Sequence, residues 1–444
     1  MNSYDKKFLK IAIPAALEGL FMVLLASADL IMVGTLGTLS IAAVSIFLQP
    51  RLILLAFSRS LASTVTLLVS KNAGAGNRAS TVDVMKKSLS LCAVFMGILH
   101  ILFGIFLQDI YYLLGANDDY MTEALIYGPI TLVAVYLTSV TLILQAVQLG
   151  YGNTAAIMKT NIAGNIINVA LNAVLIFGLG PIPAMGIAGA AIGTLCAALF
   201  TLIWTAFILR KEKFFIGGSY LPDKTYFKTV LPIFGSILSE QGSERIGMVL
   251  FGRMAAGLGT VPFAVHSICM NICDIYYDFM VGFGKASMVT AGQACGKKSV
   301  EDWRAYKKSG LKWSLLLSAL ACAATLLFRE EIFSLYSNDA ASMEIAAVIM
   351  IFVAFVSFPE AHALLLSGIL RGSGKTGAVA AYSFVSITFL RPLVTAFLLY
   401  VMDMGLYGCW CALILDQFIR ATCATFLIKR LERKAHCHLI AEPE

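Results

Sequence analysis

The chain has 444 residues, of which 59% are hydrophobic and only 13% charged, with a mean hydropathy of +0.82. Soluble domains carry about 25% charged residues, so this composition excludes an ordinary soluble protein. The net charge of +7 is no sign of nucleic-acid binding, because the basic residues sort by side of a membrane.

The opening "MNSYDKKFLK" (1–10) runs straight into an apolar stretch too long for a signal-peptide core, and no small-residue cleavage site follows, so it is read as a retained span. Runs such as "SLSLCAVFMGILHILFGIFL" (88–107) reach the roughly 20 apolar residues that one helix needs to cross a bilayer. They recur along the chain and predict an all-α polytopic membrane protein. Twelve spans are predicted, at 8–35, 42–70, 88–108, 122–149, 157–180, 185–209, 226–252, 261–294, 309–328, 344–370, 377–402 and 405–428. With the N-terminus inside, the even-numbered connections, both tails and the span ends that adjoin them hold 25 of the 33 lysines and arginines, Arg371 among them. The opposite side has only Arg253 and Arg329, and the other six lie deeper within spans. That asymmetry places both termini in the cytoplasm, and the plasma (inner) membrane is the expected location. The ten cysteines are scattered singly, apart from Cys269 with Cys273 and Cys409 with Cys411, and none has zinc-site spacing. They read as small apolar helix residues. The tail "HCHL" (436–439) is a weak metal-binding candidate.

Shifting the sequence by 222 residues, half of 444, lays "GTLSIAAVSI" (37–46) over "GTVPFAVHSI" (259–268). The same shift puts Glu18 on Glu240, Gly74 on Gly296, and "GYGNT" (150–154) on "GSGKT" (372–376). Near the end the shift slips to 219, where "GIAG" (186–189) meets "GLYG" (405–408). The chain therefore reads as two homologous halves, an N-lobe over 1–215 and a C-lobe over 216–444, joined near 210–225. Six spans per half is an even number, so both halves insert the same way up. Parallel repeats of this kind mark secondary transporters, whose substrate site lies near the midplane between the halves. "GSGKT" is not a P-loop, because Ile369 stands where the motif needs glycine and no strand precedes it, so no ATP is expected. The shared Gly-x-Gly reads as a tight cytoplasmic turn.

An ionisable side chain at mid-membrane costs about 3 kcal/mol or more unless paired or wetted, so each is a functional candidate. Seven acids stand out, Glu18, Asp29, Glu240, Asp274, Asp278, Glu360 and Asp416. The bases are Arg51, Arg59, Arg245, Lys285, Arg391 and Arg420, near enough in number for structural ion pairing to compete. Residues equally far from a short loop share a depth. Arg391 and Asp416 flank the turn near residue 403, and Arg420 is one helical turn from Asp416, so these three read as a structural or gating ion network. By the same test Glu18 falls level with Arg59 and reads as its partner. Asp29 lies eleven residues from Glu18, about 20° past three full turns, so the first span carries an acidic stripe. Glu240 has Arg245 about 140° round its helix, and Glu360 has no base on its own span before Arg371. Asp29, Glu240 and Glu360 are the acids least explained by pairing. Pro359, beside Glu360, predicts a bend that faces protein or water, whereas Pro14 reads as a packing kink.

"DLIMVGTLGTLSIAAVS" (29–45), "NAGAGNRAS" (72–80), "GNIINVALNAVLIFG" (164–178), "LPIFGSILSE" (231–240), "AGQACG" (291–296) and "GILRGSGKT" (368–376) together resemble the multidrug and toxic compound extrusion (MATE) transporters, over nearly all of the chain. The resemblance implies twelve helices in two pseudo-symmetric six-helix lobes forming a V-shaped cavity. It further implies efflux of amphipathic, mostly cationic drugs in exchange for Na⁺ or H⁺, without cofactor or enzymatic chemistry, by a monomer among membrane lipids. Asp29 matches the family's aspartate before "MVG" of helix 1. Glu240 matches the helix 7 glutamate of the NorM-type branch, and Glu360 that branch's helix 10 acid. In the DinF-type branch the helix 5 motif ends in aspartate; here that position is Asn172, with Asn168 matching the preceding asparagine. The C-lobe acids thus favour the NorM-type arrangement, often Na⁺-linked.

The expected coupling-ion residues are Glu240 and Glu360, with Asp29. Asp29, Asn168, Asn172 and Gln49 are the candidate substrate contacts, and Met and Phe side chains the adaptable apolar wall. An intramembrane enzyme would need a nucleophile or metal cluster, and "FPEAH" (358–362) supplies one acid and one histidine on different helix faces. A flippase for lipid-linked saccharide of the same superfamily is the alternative, expected to line its cavity with arginines for pyrophosphate.

Overall fold

The computed structural model describes residues 2–435, and the histidine-containing tail at 436–439 lies outside them. Twelve long helices follow one another: α1 Ser3–Gly34, α2 Thr38–Gly74, α3 Arg78–Ile105, α4 Asp118–Gly150, α5 Thr154–Phe177, α6 Gly186–Lys211, α7 Lys224–Ala256, α8 Thr260–Gly296, α9 Val300–Leu327, α10 Ala340–Gly372, α11 Thr376–Val401 and α12 Gly405–Ala435. Among the described residues nine of them are long and apolar enough to cross a bilayer, which makes this a multi-pass membrane protein. The other three are α1, α7 and α8, the helices that carry Glu18 and Asp29, Glu240 and Glu244, and Asp274 and Asp278.

Side chains capable of capping stand at the helix starts. Asn77 accepts from the Ser80 N–H, Ser299 from Asp302 and Asp339 from Ser342, at 3.0 to 3.1 Å. At the head of α1, Asn2 Oδ1 accepts from the Asp5 N–H at 2.7 Å and Asp5 Oδ2 from the Asn2 N–H at 3.3 Å, a reciprocal cap. Asp5 also accepts from the Ser309 hydroxyl at 2.6 Å and meets Lys312 at 3.3 Å. That hydroxyl, against the opposing pull of burial, holds the carboxyl below the usual carboxylate range.

Turn geometry repeats with the 222-residue period. Asn153 N–H donates to Gln148 O at 2.8 Å, and Lys375 N–H to Leu370 O at 2.9 Å. Gly152 and Gly374 take φ of 81° and 78°, a left-handed step that only glycine adopts without strain. "GSGKT" is therefore a helix–turn–helix connection between α10 and α11.

Contacts divide the chain into two units. A C-terminal unit comprises residues up to Ala16, Gly74–Gly76 and the chain from Gly235 onward; an N-terminal unit comprises Leu17–Ala73 and Asn77–Phe234. The divisions fall inside α1 and α7. The core of the N-terminal unit is built on Phe47, Leu54, Met85, Met96, Tyr111 and Ile143, that of the C-terminal unit on Phe251, Phe333, Ile349, Met350 and Trp410, all almost fully enclosed. Cys269, Cys273 and Cys409 pack into the second core as free thiols. α10 runs unbroken through Pro359, and close by, the Ser357 carbonyl accepts from Tyr276 and Ser318, both at 3.2 Å. α11 is less regular: π-helical stretches, Phe384–Leu390 and Phe397–Val401, flank Arg391–Ala396. Pro392 lacks the N–H that would close a regular turn there, and a wider turn accommodates it.

Candidate functional site

In the C-terminal unit, Glu360 is 4% exposed. Its Oε1 accepts from Gln417 Nε2 at 3.4 Å, and its buried Oε2 has no hydrogen-bond partner among the described residues. Gln417 in turn accepts from Arg420 Nη2 at 2.7 Å. One residue before Gln417 is Asp416, which is 1% exposed and binds Arg391 through both Nε, at 3.1 Å, and Nη2. Arg420 Nε lies 3.6 Å from the same carboxylate and Ser386 donates to its other oxygen. Ser386 and Arg391 are delivered by the irregular part of α11. Arg391, Asp416 and Arg420 are thus joined in one network, and Gln417 extends it to Glu360.

Glu240 corrects an expectation. It is not an acid left without a base: its Oε1 accepts from Arg371 Nη2 at 2.5 Å and from Ser383 at 3.4 Å. Arg371 reads in sequence as a connection residue and lies on no neighbouring helix, so depth counting along hairpins could not find it. Four residues on, Glu244, not among the acids expected from the sequence, accepts from Tyr277 at 3.0 Å. His362 bonds Thr425 at 2.9 Å and is accounted for by that contact.

In the N-terminal unit the first span's acids meet α5. Asn172 Nδ2 donates to Asp29 Oδ1 at 3.1 Å. With the Asn168 amide turned to satisfy both its ends, Nδ2 reaches Asp29 Oδ1 and Oδ2 at 2.8 and 2.6 Å, and Oδ1 accepts from the Thr194 N–H at 3.1 Å. Asn172 is 1% exposed and its Oδ1 has no partner among the described residues. A Cβ on Gly193 would fall on that oxygen, so the glycine is what admits the amide. Glu18, expected level with Arg59, accepts at its Oε1 from Asn161 Nδ2 at 2.5 Å. Arg59 and Gln49 are exposed residues of α2.

The family model described as MatE matches residues 14–174 and 232–397. The chain belongs to the MATE family. Its relatives include a Thermotoga maritima protein described as a probable multidrug resistance protein NorM, 26% identical over 97% of this chain and 94% of its own length. Multidrug resistance protein MdtK of Pectobacterium atrosepticum is 24% identical over 98% and 97%. A crystal structure of MATE in complex with MaD3S superposes with a TM-score of 0.90 over 98% of each chain at 18% identity, a likeness of fold. MATE proteins are transporters and not enzymes.

Several uncharged residues of this MATE chain shape the sites beside the acids: Gln417, Asn161, Gln145 and Thr194 as polar partners, and Gly193 by leaving room for Asn172. One signal was available. Asn161, Asn165, Asn168 and Asn172 follow spacings of 4, 3 and 4 in an apolar helix, which puts four amides on one face. Their partners on α1 keep a constant separation, Asn161 with Glu18, Asn165 with Met22 and Asn172 with Asp29, each 143 residues apart, so the two helices run parallel in register.

Proposed function

We propose that this MATE-family chain is a secondary active exporter of amphipathic, mostly cationic drugs, driven by Na⁺ or H⁺ moving the other way, with both termini in the cytoplasm. The observation that carries the reading is Glu360, a carboxylate enclosed mid-helix with one oxygen unpartnered among the described residues. A carboxylate withdrawn from water needs a counter-charge, and a proton, a metal cation or a cationic drug can each supply it. Competition of ion and drug for one charge is sufficient to produce exchange.

In this scheme Glu360 is the principal coupling acid. Glu240 takes part by exchanging Arg371 for the coupling ion, and Asp29 with Asn168, Asn172 and Gln49 forms the substrate end in the N-terminal unit. The relatives' description as multidrug resistance proteins supports drug efflux. The flippase alternative loses support because Arg391 and Arg420 are both engaged by Asp416, which leaves neither ready for a pyrophosphate.

Dye efflux from inverted vesicles tests the proposal, driven first by an imposed Na⁺ gradient and then by an imposed pH gradient. One gradient should drive efflux in the wild type, and Glu360→Gln should reduce it to background at equal expression. Undiminished efflux by that variant removes Glu360 from the coupling role.

A further inference from the structure

Glu18 and Glu240 are equivalent in the 222-residue repeat, and their surroundings can be compared position by position. In the C-terminal unit Glu240 accepts from Ser383, 143 residues further on; in the N-terminal unit Glu18 accepts from Asn161, also 143 residues further on. The shift that matches the acids therefore also matches Asn161 with Ser383. It likewise matches Gln145 with Ser367 and Leu149 with Arg371. Among these matched positions one differs in charge. The guanidinium that neutralises Glu240 at 2.5 Å comes from Arg371, and the first half has the aliphatic Leu149 in its place.

The oxygens differ in the opposite sense. Where the second half has two serine hydroxyls, the first half has two amides in a chain, Gln145 Nε2 donating to Asn161 Oδ1 at 2.7 Å and Asn161 Nδ2 donating to Glu18. Gln145 is buried and Asn161 and Glu18 half-buried. An amide that donates to a carboxylate can turn over and present its carbonyl instead, which converts a hydrogen-bond donor set into a set of hard oxygen ligands.

We propose that Glu18, Asn161 and Gln145 form a binding site for a small monovalent metal cation, Na⁺, occupying the place that the Arg371 side chain fills in the other half. One carboxylate and two amide carbonyls are the ligand types that suit an alkali cation, and the protein lacks a tethered charge at the matched position 149. The site is separate from Asp29, since eleven residues of helix set the two acids about 16 Å apart.

The test is ²²Na⁺ binding to the purified full-length chain in detergent. It is run in a background carrying Asp29→Asn, Glu240→Gln and Glu360→Gln, so that the outcome does not depend on those acids having the coupling roles proposed above. That background should retain one Na⁺ site, which Glu18→Gln abolishes and Leu149→Arg, by supplying the missing guanidinium, weakens at least tenfold. Should the combined variant not purify as a single species, Leu149→Arg and Gln145→Ala in the otherwise unaltered chain carry the test. Each must then lower the bound Na⁺ by one equivalent or weaken that site at least tenfold. Binding that is indifferent to Glu18→Gln and Leu149→Arg, or proton uptake at Glu18 without Na⁺ binding, overturns the proposal.

Discussion

Arg391 and Asp416 are 3% and 1% exposed, so each depends on the other for the solvation that water no longer supplies. Removing one partner leaves a buried charge uncompensated, which costs about 3–5 kcal/mol in buried pairs. Asp416→Ala, which strands Arg391 and Arg420 together, should therefore lower the thermal unfolding midpoint of the purified protein by several degrees. A midpoint within about a degree of wild type would show that the network contributes little to stability. The sequence made this contact legible because α11 and α12 are joined by a short turn, and counting outward from it assigns both residues one depth. The Glu240–Arg371 pair was not legible on the same basis, since 131 residues separate the partners and no hairpin joins α7 to α10. Gln417 and Asn161 are illegible for a different reason: an uncharged amide does not stand out in an apolar helix, although here amides donate to Glu360 and Glu18.

At the scale of elements, the close approach of α8 and α10 rests on glycine. A Cβ on Gly368 would meet the Gly284 carbonyl, and one on Gly372 the Met288 carbonyl, both nearer than any real contact. Gly368 and Gly372 are four residues apart, so they form one small-residue stripe against α8. Backbone cannot move aside as a flexible side chain can, and Gly368→Val should destabilise the C-terminal unit by about 1–3 kcal/mol, in the range of overpacked cores. Loss of the monodisperse gel-filtration peak at a lower temperature than wild type would report it; an unchanged profile would mean that the helices separate at little cost. Hydropathy and length marked these helices in the sequence because a bilayer demands long apolar runs. The π-helical stretches of α11 are not legible in the sequence, because they change hydrogen-bond register without changing composition; Pro392 is the local feature beside the first of them, Phe384–Leu390.

For the whole molecule, the repeat makes a statement that composition alone cannot make. The turns recur with matching geometry, Gly76 at φ 69° against Lys298 at 58° and Gly37 at 114° against Gly259 at 103°. The family model also matches one segment in each half. Each half has six long helices, and an even number returns the chain to the side from which it started. Under the topology proposed above, turns 222 residues apart lie on the same side of the membrane, and those at 75–77 and 297–299, with basic residues around them, on the cytoplasmic one. Reporter fusions separate this from an inverted repeat, in which the halves would face opposite ways. Green fluorescent protein joined after Gly76 or after Lys298 should fluoresce, and alkaline phosphatase at either place should be inactive. Joined after Ser337, between α9 and α10, the phosphatase should be active and the fluorophore dark. If the fusions after Gly76 and Lys298 report opposite sides, the parallel repeat fails, and the equivalence of Glu18 with Glu240 fails with it.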